Sequence, residues 1–150
     1  MTWIFKKFDE LTPGELYACL QLRNEVFVVE QNCVFQDADD KDQICYHLMC
    51  WEGKKLLAYT RIAPPGICYE ESSIGRVVSS PSVRGKGTGK LLMQKSIELV
   101  YSLFGKGSAI KIGAQLYLKK FYESFGFKQS SDIYIEDGIE HIKMLLSPHP

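Results

Sequence analysis

The segment Arg84-Gly85-Lys86-Gly87-Thr88-Gly89-Lys90 constrains this chain more than any other stretch. It lies between a β-like run, Ile74 to Ser79, and a helical run that ends near Phe104. Its glycines allow a sharp turn and leave backbone N–H groups uncovered. A helix N-terminus behind such a loop adds partial positive charge, so strand, loop and helix together make an anion site. Arg84, Lys86 and Lys90 add cationic side chains. A phosphate or pyrophosphate is the natural ligand.

The elements around the loop follow from periodicity and turn chemistry. Trp3 to Phe8 reads as a strand. Thr12-Pro13-Gly14-Glu15 starts a helix, with Thr as N-cap, Pro in the first turn and Glu completing a capping box. Leu16, Leu20, Arg23 and Phe27 continue it at helical spacing. Gln31 to Gln43 is polar and acidic and reads as a loop. Tyr46 to Glu52 and Leu56 to Ile62 are strands joined by Gly53-Lys54-Lys55, and Pro64-Pro65-Gly66 breaks the chain. Behind the glycine loop, Met93, Ile97, Val100 and Phe104 form an apolar stripe that stops at Gly105-Lys106-Gly107. Ala109 to Ala114 is a short strand. Leu118, Phe121, Tyr122 and Phe125 line a short helix ended by Gly126. Asp137-Gly138 between Ile133 to Glu136 and Ile139 to Leu146 is a two-residue hairpin signal. The order β-α-β-β-β-α-β-α-β-β predicts a mixed α/β domain of the α+β type, with one mostly antiparallel central sheet flanked by helices.

At 150 residues the chain is expected to be a single domain, 1–150, with a sizeable core. Lys plus Arg and Asp plus Glu number 18 each, which argues against nucleic acid as a partner. No apolar run is long enough to span a bilayer, and Met1 to Lys7 has no signal-peptide layout. Five cysteines at irregular spacing do not suggest a disulfide framework, so a cytoplasmic protein is expected.

Three phosphate loops compete for the glycine segment. A P-loop needs Ser or Thr after its Gly-Lys pair, whereas Gly89-Lys90 is followed by Leu91, and Arg84 occupies the position of the first glycine. A dinucleotide fingerprint needs G-x-G-x-x-G, whereas Gly85, Gly87 and Gly89 alternate with single residues, and the loop lies past mid-chain. The third pattern is Arg/Gln-x-x-Gly-x-Gly/Ala after a strand, read as Arg84, Gly87 and Gly89. On that pattern, on Val77-Val78-Ser79 ahead of it, and on Phe121-Tyr122-Glu123-Ser124-Phe125-Gly126-Phe127 after it, the chain resembles the GNAT superfamily of N-acetyltransferases. Leu22-Arg23, Val26 to Gln31 and Ile74-Gly75-Arg76-Val77 further resemble its ElaA-like branch.

The resemblance implies the GNAT-like acyl-CoA N-acyltransferase fold and acetyl-CoA as co-substrate, with no metal. Val77, Val78 and Ser79 would pair with the pantetheine arm. Arg84, Gly85, Lys86, Gly87, Thr88, Gly89 and Lys90 would cradle the pyrophosphate. Gln115 stands where many members have an Asn that touches the cofactor. Tyr122 would be the general acid for the leaving thiolate, and a backbone N–H near Val78 the oxyanion donor. The acceptor would be a primary amine on a small molecule, peptide or protein, handled by a monomer or homodimer. Its specificity would come from Gln31 to Gln43, Pro64 to Ser73 and the terminal hairpin. The alternative is a CoA-binding module without catalysis.

Other residues carry weaker signals. His47, Glu30 and His141 are candidate bases by residue type alone. Arg23, Arg61 and Arg76 interrupt apolar elements, so they bind an acidic group on the acceptor, form internal salt bridges or lie exposed at an element's edge. Cys45 and His47 share a strand face while Cys50 points to the other, so buried cysteines packing as small hydrophobes are expected rather than a metal site. Asp37, Asp39, Asp40 and Asp42 fail the calcium-loop count, with Asp42 where glycine is needed and Leu48 where glutamate is needed, and a solvated loop is expected.

Overall fold

The computed structural model describes residues 1–148. Among them eight strands and three α-helices follow the expected alternation. The chain runs β1 (Thr2–Lys7), α1 (Pro13–Arg23), β2 (Tyr46–Glu52), β3 (Lys55–Ala63), β4 (Ser73–Ser79), α2 (Thr88–Phe104), β5 (Ile110–Gln115), α3 (Lys119–Glu123), β6 (Lys128–Gln129), β7 (Tyr134–Glu136) and β8 (Ile139–Leu146). The short β6 carried no signal in the sequence. No helix among the described residues is long and apolar enough to cross a membrane.

The local start and stop signals act as read. Thr12 Oγ1 accepts the Glu15 N–H at 3.1 Å, and the Glu15 carboxylate accepts the Thr12 N–H at 2.8 Å, closing the capping box of α1. Asp137 and Gly138 both have positive φ, 51° and 77°, as a type I′ turn between β7 and β8 requires. The buried face of α1 differs from the expected stripe. Cys19, Leu22 and Arg23 are buried, followed by Val26 in a π-helical turn, Asn24–Glu30, that continues the helix. Leu16, Leu20 and Phe27 are only half-buried. Periodicity allowed two adjacent stripes sharing Arg23, and the side chains available to receive them, Met49, Tyr59 and Val78, decide between the two.

The sheet is built as two halves. β1-β2-β3-β4 form an antiparallel meander, while β8 pairs antiparallel with β5, β6 and β7. The halves meet where β4 and β5 begin, at a parallel bridge between Ser72 and Ile110, with the Lys111 N–H donating to the Ser72 carbonyl at 2.9 Å. Cys19, Leu22 and Val26 cover one face of the first half through Met49, Tyr59 and Val78. Leu92 and Val83 cover the other against Leu48, Cys50 and Leu57. Met93 and Val100 of α2 and Tyr122 of α3 pack with Ile110, Ile112, Ile142 and Met144 in the second half.

A β-bulge shapes β4. Arg61 pairs with Gly75 and Tyr59 with Val78, so Thr60 of β3 faces both Arg76 and Val77. Ile74 and Val77 therefore join the core on the α2 side, and Val78 the core on the α1 side. Arg76 takes the left-handed conformation, φ 51°, which costs a non-glycine residue about 1–3 kcal/mol.

The acidic run 37–42 is not a solvated loop. Asp42 is buried, and Asp37 and Asp39 are half-buried with it. Their partners explain the difference: the three arginines expected to stand out of apolar elements converge here from α1, β3 and β4.

Candidate active site

A cleft of roughly 330 Å³ opens where β4 and β5 diverge beyond their bridge. Val77, Val78 and Ser79 line it from β4, and Ile112, Gly113 and Gln115 from β5. The π-helical turn adds Val26 and Phe27, the hairpin adds Glu136, Asp137 and His141, and α3 adds Phe121 and Tyr122. The walls thus mix apolar side chains with polar and charged ones.

The glycine loop closes one end. Gly85 and Gly87 have φ of 77° and 79°, so the loop turns at two points that disfavour side chains, and α2 begins at Thr88. Among the described residues, the N–H groups of Gly85, Gly87, Thr88, Gly89 and Lys90 have no backbone acceptor. Several free donors at the N-terminus of a 17-residue helix are suited to phosphate oxygens. A Cβ at Gly89 would make ordinary contacts, 3.8 Å from Ser79 Oγ and 4.0 Å from the Phe121 ring. Arg84 is not free. Its guanidinium makes a two-pronged, solvent-exposed contact with the Glu30 carboxylate, with Nη1 at 2.9 Å from Oε2, which links Glu30 to the loop.

Tyr122 is 6% exposed and lines the cleft from inside an aromatic cluster, with Phe121 and Phe127 edge-on to its ring. Burial raises its phenol well above the ordinary tyrosine range, which keeps the proton in place. Gln115 faces Gln31 across the cleft, the two amides exchanging contacts at 3.3 and 3.4 Å.

Beside the cleft, a buried ionic network holds the β4 bulge. Asp37 accepts from Arg23 Nε at 2.7 Å and from Arg76 Nε at 2.8 Å. Asp39 takes both Arg61 Nη atoms, at 2.8 and 2.9 Å, and Asp42 accepts from Arg23 at 2.8 Å and Arg61 at 3.0 Å. Burial by itself would raise the Asp42 and Asp39 carboxyls, but the adjacent guanidinium groups outweigh it and hold both below their ordinary value. Arg23 and Arg61 are therefore internal salt-bridge partners. Arg76 also lines the cleft.

His47 is structural. Its Nε2–H donates to the Asp42 carbonyl at 2.9 Å and its Nδ1 accepts the Tyr59 hydroxyl at 2.6 Å, so both ring nitrogens are engaged. Burial lowers its pKa and keeps it neutral. Cys45 and Cys50 are buried thiols, Cys45 pushed up to about 11 by burial, as expected of small hydrophobes.

The family model for the acetyltransferase (GNAT) domain matches residues 19–148. The chain belongs to the GNAT family. Within that family it is ElaA-like: Protein ElaA of Escherichia coli is 42% identical over 144 residues, covering 95% of this chain and 94% of the relative. The crystal structure of an acyl-CoA N-acyltransferase from Pseudomonas aeruginosa superimposes with a TM-score of 0.93 at 40% identity, over 97% of this chain and 99% of that one. A more distant fold neighbour, an aminoglycoside 6′-N-acetyltransferase complexed with coenzyme A, gives a TM-score of 0.70 at 17% identity, covering 98% of each chain. This GNAT protein is accordingly an acyltransferase.

Of the site residues expected from sequence, Val77, Val78, Ser79, Arg84, Gly89, Gln115 and Tyr122 share the cleft. Gly85, Lys86, Gly87, Thr88 and Lys90 lie beyond its lining, on the loop at its end. Pro64 to Ser73 contributes nothing to the lining, whereas Gln31, Cys33 and Phe35 and the hairpin do. Ile112, Phe27 and Phe121 were legible only as core residues, because an apolar cleft wall and an apolar core have the same periodicity.

Proposed function

We propose that this GNAT protein transfers an acetyl group from acetyl-CoA to a primary amine on a small molecule, peptide or protein, by direct attack of the amine on the thioester. The observation that supports this reading is a cleft between β4 and β5 that Tyr122 lines and that the glycine loop, with its free N–H groups, adjoins through Arg84 and Gly89. Acetyl-CoA supplies an activated acyl carbon and a thiolate leaving group. Val77, Val78 and Ser79 offer a strand edge for the pantetheine amides. The loop from Arg84 to Lys90 holds the pyrophosphate through backbone N–H groups and cationic side chains, and Gln115 steadies the arm near the reacting end. A backbone N–H near Val78 receives the developing oxyanion, and the bulge at Arg76 and Val77 fixes the direction of that strand. Tyr122, held protonated by burial, gives its proton to the departing sulfur.

The test is acetyl-CoA-dependent thiol release by the purified protein with benzylamine, spermidine, L-lysine methyl ester and a lysine-containing peptide. Release that depends on at least one amine, with the matching amide found by mass spectrometry, is expected. Saturable acetyl-CoA binding with no turnover of any amine would instead support a non-catalytic module.

A further inference from the structure

We propose that His141 is the general base of the transfer: its Nε2 takes the proton from the acceptor amine, and Glu136 holds the imidazolium that forms. The proposal rests on the acetyl-transfer reading above and adds the group that reading lacks.

His141 lies on β8, opposite Gln115 of β5 and Tyr134 of β7. It is buried to 8% exposure yet lines the same cleft as Tyr122. Its Nδ1 lies 2.7 Å from the Ile139 carbonyl oxygen. A carbonyl only accepts, so Nδ1 carries the hydrogen. A neutral imidazole has one such hydrogen, which leaves the lone pair on Nε2. The ring is held by stacking on Tyr134, with centroids 5.8 Å apart and planes at 27°. Nε2 stands 3.6 Å from Glu136 Oε2, too far for a hydrogen bond. A neutral Nε2 has no hydrogen to offer that carboxylate, whereas an imidazolium does, so the pair tightens only after the proton has moved.

His47, Glu30 and Cys33 are committed elsewhere. His47 uses both nitrogens, Glu30 is tied to Arg84, and the Cys33 thiol donates to the Asp137 carbonyl at 2.8 Å. The groups facing His141 or sharing its cleft are Glu136 and the Tyr134 phenol from β7, Asp137 from the turn, Arg76 from β4, Arg84 from the glycine loop, Tyr117 from the turn after β5, Tyr122 from α3 and Cys33 from the loop after the π-helical turn.

The step balances without a further reactant. The amine proton passes to Nε2 as the nitrogen bonds to the thioester carbon. The tetrahedral adduct then breaks its C–S bond, and the sulfur takes the Tyr122 proton. The imidazolium releases its proton to solvent and the tyrosinate regains one, leaving amide and free thiol.

Two measurements test this. The first needs no acceptor: the long-range nitrogen–proton NMR spectrum of the wild-type imidazoles, with His141 assigned through His141→Gln. Neutral His141 is expected as the Nδ1–H tautomer, and an Nε2–H tautomer would overturn the proposal. The second uses any amine that the wild type acetylates. His141→Gln is expected to keep its acetyl-CoA affinity, lose roughly 10²-fold or more in kcat and lose the acidic limb of the pH–rate profile. Glu136→Gln is expected to lower kcat several-fold with acetyl-CoA affinity unchanged. An acidic limb that persists in His141→Gln would remove His141 from the role while leaving acetyl transfer intact. A wild type that acetylates no amine would instead bring down the acetyl-transfer reading.

Discussion

Tyr122 packs in the core and, in the proposed reaction, would also supply a proton. Its ring fills the core between Phe121 and Phe127, and its edge lines the cleft. The pattern of α3 predicts a core tyrosine, and it is one; it also lines the cleft, where the proposed reaction uses its hydroxyl proton. Tyr122→Phe keeps the ring and removes only the proton. Its kcat is expected to fall by about 10²-fold or more, with acetyl-CoA affinity within twofold of wild type. Equal kcat values from steady-state thiol release would take Tyr122 out of the acid role. His47 shows the opposite case at the same scale. It was a candidate base by type, and burial with two engaged ring nitrogens makes it a strut between Tyr59 and the Asp42 backbone.

At the scale of elements, the Arg23, Arg61 and Arg76 network joins α1 and the 37–42 loop to β3 and β4. It holds Arg76 in its left-handed conformation and so fixes the bulge on the cleft wall. Removing one partner of a buried ion pair leaves the other charge poorly compensated. Asp42→Asn is therefore expected to cost about 3 kcal/mol or more in urea unfolding. The pH dependence has a definite sign. Asp39 and Asp42 have lowered folded-state pKa values, so the stability they contribute is full above their unfolded pKa of about 4 and is lost as pH falls below it. His47 is also lowered, so the unfolded chain takes up its proton first, and stability begins to fall below about pH 6.5. Urea midpoints measured against pH should decline in two stages, and His47→Gln should abolish the upper one. A profile flat from pH 7 to 4 would contradict the His47 assignment, and one flat below pH 4 the Asp39 and Asp42 assignment.

For the whole molecule, the divided sheet matters most. The two halves share one bridge at Ser72 and Ile110 and a core spanning Ile62, Met93 and Ile142, and the cleft lies in the gap between them. A ligand seated there touches both halves and binds only the folded state. Acetyl-CoA at about 100 times its Kd should stabilise the protein by about 2.7 kcal/mol. For a chain of 150 residues this corresponds to a rise in Tm of roughly 5–11 °C. No change in Tm at saturating acetyl-CoA would show that the cleft does not take it.

The sequence by itself determined what short-range chemistry controls. The capping box at Thr12, the Asp137-Gly138 hairpin, the limits of α2 and the loop from Arg84 to Lys90 each depend on neighbours a few residues away, and each was legible. The mixed α/β order of elements and the glycine-loop pattern together pointed to the family. Only the tertiary structure decided how distant charges pair. The acidic run looked solvated because its partners, Arg23, Arg61 and Arg76, lie on three other elements. Likewise, Glu30 meets Arg84 across 54 positions of sequence, and Gln31 meets Gln115 across 84. The cleft was hidden for the same reason. It exists because β4 and β5 part after a single bridge, and pairing between strands is a long-range choice that periodicity within either strand does not record.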